Sequence, residues 1–141
     1  MPIPADPANE LPNLASARDA LRASLWDRPH LPAAVLELCR LRLAQLHGSE
    51  QDAAFEERAV PSEQRAALRT WNSSSLFGDA ERACLSFAEI YAMDASALTD
   101  AQAEAVKSHY GDAGLVALIE ALGVFDGAIR INLLWGTVDG W

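Results

Sequence analysis

Five residues in the first half of the chain could carry out proton-transfer chemistry: Glu37, His47, Ser49, Asp52 and Glu56. Asp52 and Glu56 are four residues apart, so on a helix their carboxylates lie on one face. Carboxylates gathered in an apolar pocket raise one another's pKa, which supplies a general acid or base. They are also oxygen ligands for a hard cation. The alternative is a solvated face of an acidic protein.

Glu37 and His47 each have a simpler interpretation. Glu37 is three residues before Arg40, so an ion pair within one helix is available to it. His47 lies near the end of a predicted helix, where a histidine is an ordinary C-terminal capping residue. A role in a pocket and a structural role are therefore both open for these two residues.

The two cysteines, Cys39 and Cys84, are far apart in sequence and form no C-x-x-C pair. Two cysteines cannot form the disulfide framework of a small secreted domain. Free cysteine is commonly a small buried hydrophobic residue, so we expect both in the core. The alternative is a redox pair formed where two helices meet.

The composition indicates a single acidic domain. The chain has 141 residues, of which 50% are hydrophobic, and a formal net charge of −9. Without a basic face we expect no binding to nucleic acid and none to anionic lipid. No apolar run reaches the roughly 18 residues that suggest a membrane span, and the N-terminus does not resemble a signal peptide. We therefore expect a cytoplasmic protein.

The spacing of apolar residues predicts an all-α fold of about six or seven helices. No segment shows the alternation of a strand. Residues 1–12 are rich in proline and predict a flexible, extended arm, whereas residues 13–141 predict one helical domain. The helix over 32–47 is expected to be central, because its own apolar residues lie on most of its faces. The predicted helices span residues 14–27, 32–47, 49–59, 62–71, 79–93, 100–109 and 113–135.

Individual residues mark helix ends and contacts. Ser49 is a suitable N-cap for the third helix. Thr99 and Gln102 have the spacing of a capping box. Gly123 and Gly127 are four residues apart in the last helix, and the simplest explanation for them is close packing against another helix.

Residues 37–48 (ELCRLRLAQLHG) resemble the helix that precedes the active site in the AhpD-like alkylhydroperoxidase / carboxymuconolactone decarboxylase family. Three later segments agree in order and spacing. Residues 68–77 look like the family's linker, residues 79–89 like its next helix, and residues 118–132 like its final helix. The resemblance covers about residues 33–136 and implies an AhpD-like helical bundle that assembles as a homo-oligomer.

Peroxidases of this family carry a C-x-x-C-x-x-x-H motif directly after that helix, together with an upstream glutamate that belongs to a proton relay. By resemblance, the motif positions fall on Ser49, Asp52 and Glu56, and the glutamate falls on Glu37. Peroxide reduction needs a thiolate and a second thiol that resolves the sulfenic acid. Ser49 and Asp52 can supply neither, so the resemblance implies a fold that is kept without its thiol chemistry.

Three functional hypotheses follow. The first is an AhpD-like protein without the redox pair that binds a small molecule in the former active-site pocket. The second is an enzyme of the decarboxylase branch, in which Glu37, Glu56 and His47 move protons on a small carboxylic acid or lactone. The third is a purely structural oligomer. The sequence has no glycine-rich phosphate loop and no zinc-binding spacing, so we expect no cofactor and no metal.

Overall fold

The computed structural model describes residues 7–27 and 30–135, and every regular element in these two ranges is a helix. This confirms the all-α fold. Seven α-helices are joined by 3-10 turns at Leu68–Ser73 and Ala95–Ala97. The helices are α1 (Pro7–Glu10), α2 (Pro12–Trp26), α3 (Ala33–Leu46), α4 (Glu50–Ala54), α5 (Ser62–Ala67), α6 (Asp79–Asp94) and α7 (Asp100–Trp135).

Helix α3 is the centre of the domain and packs against α4, α6 and α7. Most of its residues are buried, including Leu38, Leu41 and Leu43. This confirms the prediction of a central helix, since apolar residues on all sides require neighbours on all sides. Among the described residues, no helix combines the length and the apolar character needed to cross a membrane.

The N-terminal region differs in part from the predicted arm. Residues 1–6 lie outside the described ranges, but Pro7–Glu10 forms a helical turn, and α2 already begins at Pro12. Proline is well tolerated at the first position of a helix, because its missing N–H has no partner there. At the other end of α2, the Trp26 ring packs on that of Phe125, with 5.4 Å between the ring centroids.

Helix α4 is shorter than the segment 49–59 that the sequence predicts. It ends at Ala54, and Phe55 adopts an extended conformation. The prediction that Asp52 and Glu56 share a helix face is therefore wrong. The N-cap prediction is confirmed, because the Ser49 hydroxyl accepts a hydrogen bond of 3.3 Å from the Asp52 N–H.

Helix α7 contains both of the last two predicted helices, which meet in a kink at Gly111. Gly111 has a φ of +72°, a conformation that glycine adopts without steric cost. At the start of α7, the Gln102 side chain accepts a hydrogen bond of 2.8 Å from the Thr99 N–H, as the capping box predicts. Close packing does not explain Gly127, because a Cβ added there meets no atom within 4 Å.

Candidate functional site

A buried polar cluster lies where the start of α4 meets the end of α7. It consists of Ser49, Asp52 and Asn132, which are all at least 96% buried (4%, 4% and 3% exposed). The Ser49 hydroxyl donates to Asp52 Oδ2 at 2.5 Å, and Asn132 Nδ2 donates to Asp52 Oδ1 at 2.9 Å. Both carboxylate oxygens of Asp52 are therefore occupied within the protein.

Asn132 Oδ1 is buried without a hydrogen-bond partner. Its residue lines an open depression of about 280 Å³, together with Gly48 and Ser49. A buried acceptor that lacks a donor costs about 1–3 kcal/mol. A hydrogen-bond donor that reached Asn132 Oδ1 would offset this cost. Asn132 was not identified from the sequence, where an asparagine among apolar residues of a terminal helix was the only signal.

Glu37 and Arg40 form an ion pair in the core, and both side chains are fully buried. Arg40 Nη2 donates to Glu37 Oε1 at 2.6 Å, and Arg40 Nε donates to Oε2 at 3.0 Å. Arg40 also donates to the backbone carbonyls of Asp52 at 3.1 Å and Phe55 at 2.5 Å. The simpler interpretation of Glu37, an ion pair within its own helix, is confirmed. This pair holds the chain that follows α3 against the core.

Glu57 is a further carboxylate of the core edge, with its side chain 13% exposed, and no pattern in the sequence indicated it. Arg22 donates to it from Nε at 2.7 Å and from Nη2 at 2.5 Å, and Trp26 Nε1 donates at 2.9 Å. Burial raises the pKa of Glu57, but the hydrogen bonds and charge of Arg22, with the Trp26 N–H and the charge of Arg40, outweigh it and lower the pKa below its ordinary value. The side chain ties α2 to the segment after α4.

The Glu56 side chain lies apart from those of Glu37 and Asp52. It is half exposed, and its nearest cation is Arg65 Nη1 at 3.6 Å. The structure brings Glu37 and Asp52 to the same segment, through Arg40, but does not bring Glu56 to them. In the two described ranges, no three His, Cys, Asp or Glu side chains come together in a way that could hold a metal ion.

His47 belongs to a separate polar cluster on α3 and α7. It is the C-cap of α3, and its Nε2 contacts Asp126 Oδ1. Arg130 Nε donates to the other oxygen of Asp126 at 2.9 Å. Burial raises the pKa of Tyr91, the negative charge of Asp126 adds to this effect, and Arg130 opposes it. The contact between His47 and a carboxylate 79 residues away was not predicted from the sequence.

Both cysteines lie in the core, as expected, with no exposed surface. Burial, with a smaller effect from Cys84, raises the pKa of Cys39 well above its ordinary value. Burial and the negative charge of Glu81 raise the pKa of Cys84 to about 12. Since the thiolate is the nucleophile, the raised pKa of each cysteine disfavours its reactive form.

The fold has a known counterpart among solved structures. A protein of unknown function from Agrobacterium tumefaciens, described as a candidate antioxidant defence protein AhpD, superposes with a TM-score of 0.83. The two sequences are 19% identical, and the likeness covers 93% of each chain. No family model and no curated protein matches the sequence. The chain therefore has an AhpD-like helical fold, as the resemblance in its sequence implies.

Proposed function

We propose that this protein is a member of the AhpD-like carboxymuconolactone decarboxylase family that has lost thiol-peroxidase activity. The observation that carries the proposal is the hydrogen bond between Ser49 and Asp52, the two residues that by resemblance stand at the cysteine positions. A hydroxyl and a carboxylate cannot form a disulfide or resolve a sulfenic acid. The burial and raised pKa of Cys39 and Cys84 argue against a replacement pair.

The test is hydroperoxide consumption with dithiothreitol as the reductant, in the native protein and in a Cys39→Ala/Cys84→Ala variant. We expect no turnover above the uncatalysed rate in either protein. Turnover in the native protein that disappears in the variant would show that the nucleophile has moved to another helix, and the proposal would be wrong. Circular dichroism of the variant checks that it retains its helices.

We further propose that the depression beside Ser49 and Asn132 binds a small molecule through an N–H or O–H group. The unpartnered Asn132 Oδ1 supports this, as does its place on the wall of the depression. The test is an NMR screen of small amides and alcohols. Binding should shift the amide signals of residues 48–51 and should be lost in Asn132→Leu but kept in Arg130→Ala, an exposed neighbour. Binding that Asn132→Leu leaves unchanged would contradict this site.

Acid–base catalysis is a second candidate function, and the contact between His47 and Asp126 favours it. A carboxylate that holds one imidazole nitrogen orients the other for proton transfer. Glu37 has both oxygens occupied by Arg40, and Glu56 is half exposed, so His47 is the better-placed base. The test is carbon dioxide release from carboxymuconolactone, which should fall at least tenfold in His47→Gln. No release by the native protein would end this candidate.

We propose that the protein assembles as a homo-oligomer in the cytoplasm. Exposed apolar side chains on α7 support the assembly, namely Val116, Ile119, Leu133 and Leu134. Apolar surface of this kind is commonly covered by a second subunit. Light scattering after gel filtration measures the assembly. A monomer at all concentrations would contradict it, and a stable oligomer without ligand or activity would favour the purely structural hypothesis.

A further inference from the structure

A second cavity, of about 240 Å³, lies between α2 and α7. Arg18 and Arg22 form part of its α2 wall, and Gly123, Gly127 and Ala128 form part of its α7 wall. None of these five residues belongs to the depression beside Ser49. The wall from α7 is apolar, whereas the wall from α2 carries the positive charges of Arg18 and Arg22 and the negative charge of Asp19.

The two glycines leave this space open although no close contact requires them. A Cβ at Gly127 would meet no atom within 4 Å, and a Cβ at Gly123 would meet only Tyr91 Oη, at an ordinary 3.6 Å. A glycine in a helix interior is about 0.5–1 kcal/mol less stable than alanine. Packing among the described residues does not offset that loss. The glycines therefore leave a space that no side chain of the described residues fills.

Arg22 lines this cavity and has one hydrogen-bond donor without a partner. Its Nε and Nη2 bind Glu57, but its Nη1 is buried and has no hydrogen-bond partner. The guanidinium lies over the Phe125 ring, 5.4 Å from the centroid. A buried N–H of a charged group that lacks an acceptor is costly. An oxygen atom of a bound molecule would satisfy it.

Arg18 adds a second positive charge to the same cavity. It precedes Arg22 by four residues, so the two guanidinium groups lie on one face of α2, where like charges repel. Burial lowers the pKa of Arg18, the nearby Asp19 opposes this effect, and the charge of Arg22 adds to it. An anion between the two arginines would relieve the repulsion. Glu57, which pairs with Arg22, and Asp19 on the same wall offset part of this charge.

We propose that this cavity binds a small molecule that carries a carboxylate on an apolar body. The carboxylate accepts hydrogen bonds from Arg22 Nη1 and pairs with Arg18, since carboxylate oxygens match a guanidinium in geometry and charge. The apolar body lies along Gly123, Gly127 and Ala128. The cavity and its two arginines are separate from the residues of the proposed function, so this site stands or falls independently.

The test is calorimetric titration of the native protein with octanoate, followed by octanol and octylammonium, which have the same chain but a neutral or positive head group. Octanoate should bind saturably and at least tenfold more tightly than the other two. Equal affinities would show that the arginines play no part. No saturable binding of octanoate would also overturn the proposal.

Substitutions on α7 locate the site. Gly127→Leu fills the cavity and should weaken octanoate binding at least tenfold, whereas Glu120→Leu, which adds the same side chain to α7 outside the cavity wall, should leave it unchanged. Gly127→Ala checks that position 127 tolerates a Cβ without loss of stability. If Gly127→Leu leaves octanoate binding unchanged, octanoate does not bind in this cavity and the proposal is wrong. If Gly127→Leu instead dissociates an oligomer, a second copy of the chain covers the cavity, and the proposal is also wrong.

Discussion

The Ser49 hydroxyl donates a hydrogen bond of 2.5 Å to Asp52 Oδ2, and the Asp52 N–H donates one of 3.3 Å back to the same hydroxyl oxygen. The two side chains are joined across one helical turn without a covalent bond. Asn132 completes the cluster from α7. A buried carboxylate is tolerated only with such partners, so the three residues depend on one another.

Removal of the Asp52 carboxylate should destabilise the protein. Asp52→Ala leaves the Ser49 hydroxyl and Asn132 Nδ2 as buried donors without acceptors, and each unsatisfied group costs about 1–3 kcal/mol. Urea unfolding followed by circular dichroism measures the loss. Gln51→Ala, an exposed substitution in the same helix, is the control and should change the free energy of unfolding by less than about 0.5 kcal/mol. Equal effects of the two variants would contradict the cluster.

The buried ion pair of Glu37 and Arg40 should matter more than an exposed pair. Arg40→Ala leaves a buried carboxylate without its cation and should cost about 3–5 kcal/mol. Arg130→Ala breaks an exposed contact with Asp126 and should cost less than about 1 kcal/mol. Chemical denaturation compares the two.

A double variant separates charge from packing at the same pair. Glu37→Leu/Arg40→Met removes both charges and keeps most of the volume, so it should lose less stability than Arg40→Ala, since no buried charge is left alone. If Glu37→Leu/Arg40→Met is less stable than Arg40→Ala, the hydrogen bonds from Arg40 to the backbone contribute more than its charge. The prediction that the unpaired carboxylate causes the loss would then be wrong.

The two cysteines should be unreactive in the folded protein. Both are fully buried, burial raises the pKa of each thiol, and the pKa of Cys84 is raised to about 12. Titration with Ellman's reagent at pH 8 should detect no fast thiol in the native protein and two after denaturation. A thiol that reacts within seconds in the native protein would show that one of them is accessible as a thiolate.

Stability should fall in acid partly through Glu57. Its pKa in the folded protein lies below the ordinary 4.5, mainly because Arg22 and Trp26 offset the effect of burial. The unfolded chain then binds the proton more readily, so this contribution is present above pH 4.5 and is lost as the pH falls through the lower pKa of the folded state.

The measurement is the thermal midpoint between pH 6 and pH 3. Glu57→Gln should make the thermal midpoint depend less on pH. Glu63→Gln, which removes an exposed carboxylate, is the control and should change this pH dependence little. Identical pH profiles of the native protein and Glu57→Gln would show that Glu57 does not contribute.

Features that depend on neighbours in sequence were predicted well. Apolar periodicity and proline positions located the helices. The Thr99 cap and the break at Gly111 lie where the pattern places them, and Glu37 and Arg40, which form an ion pair, are three residues apart in sequence. These signals are local, because helix hydrogen bonds, caps and side-chain pairs join residues within about one turn. The resemblance extended this local information to the AhpD-like fold.

Contacts between distant residues could not be predicted in the same way. Asn132 lies 80 residues from Asp52, and Arg22 lies 35 residues from Glu57. No spacing rule links such pairs, since they depend on which faces of α2 and α7 turn toward the chain after α3. The end of α4 at Ala54 also depends on a distant residue, because Arg40 donates a hydrogen bond to the carbonyl of Phe55.

By itself, the sequence determined the helices and the burial of the central one. Local backbone geometry and hydrophobic periodicity are sufficient for these properties. The tertiary structure decided which polar groups meet, since it brings Ser49 and Asp52 to Asn132. It also places Arg22 on the wall of an open cavity. Buried polar groups must find partners wherever packing brings them, and packing is a property of the whole chain.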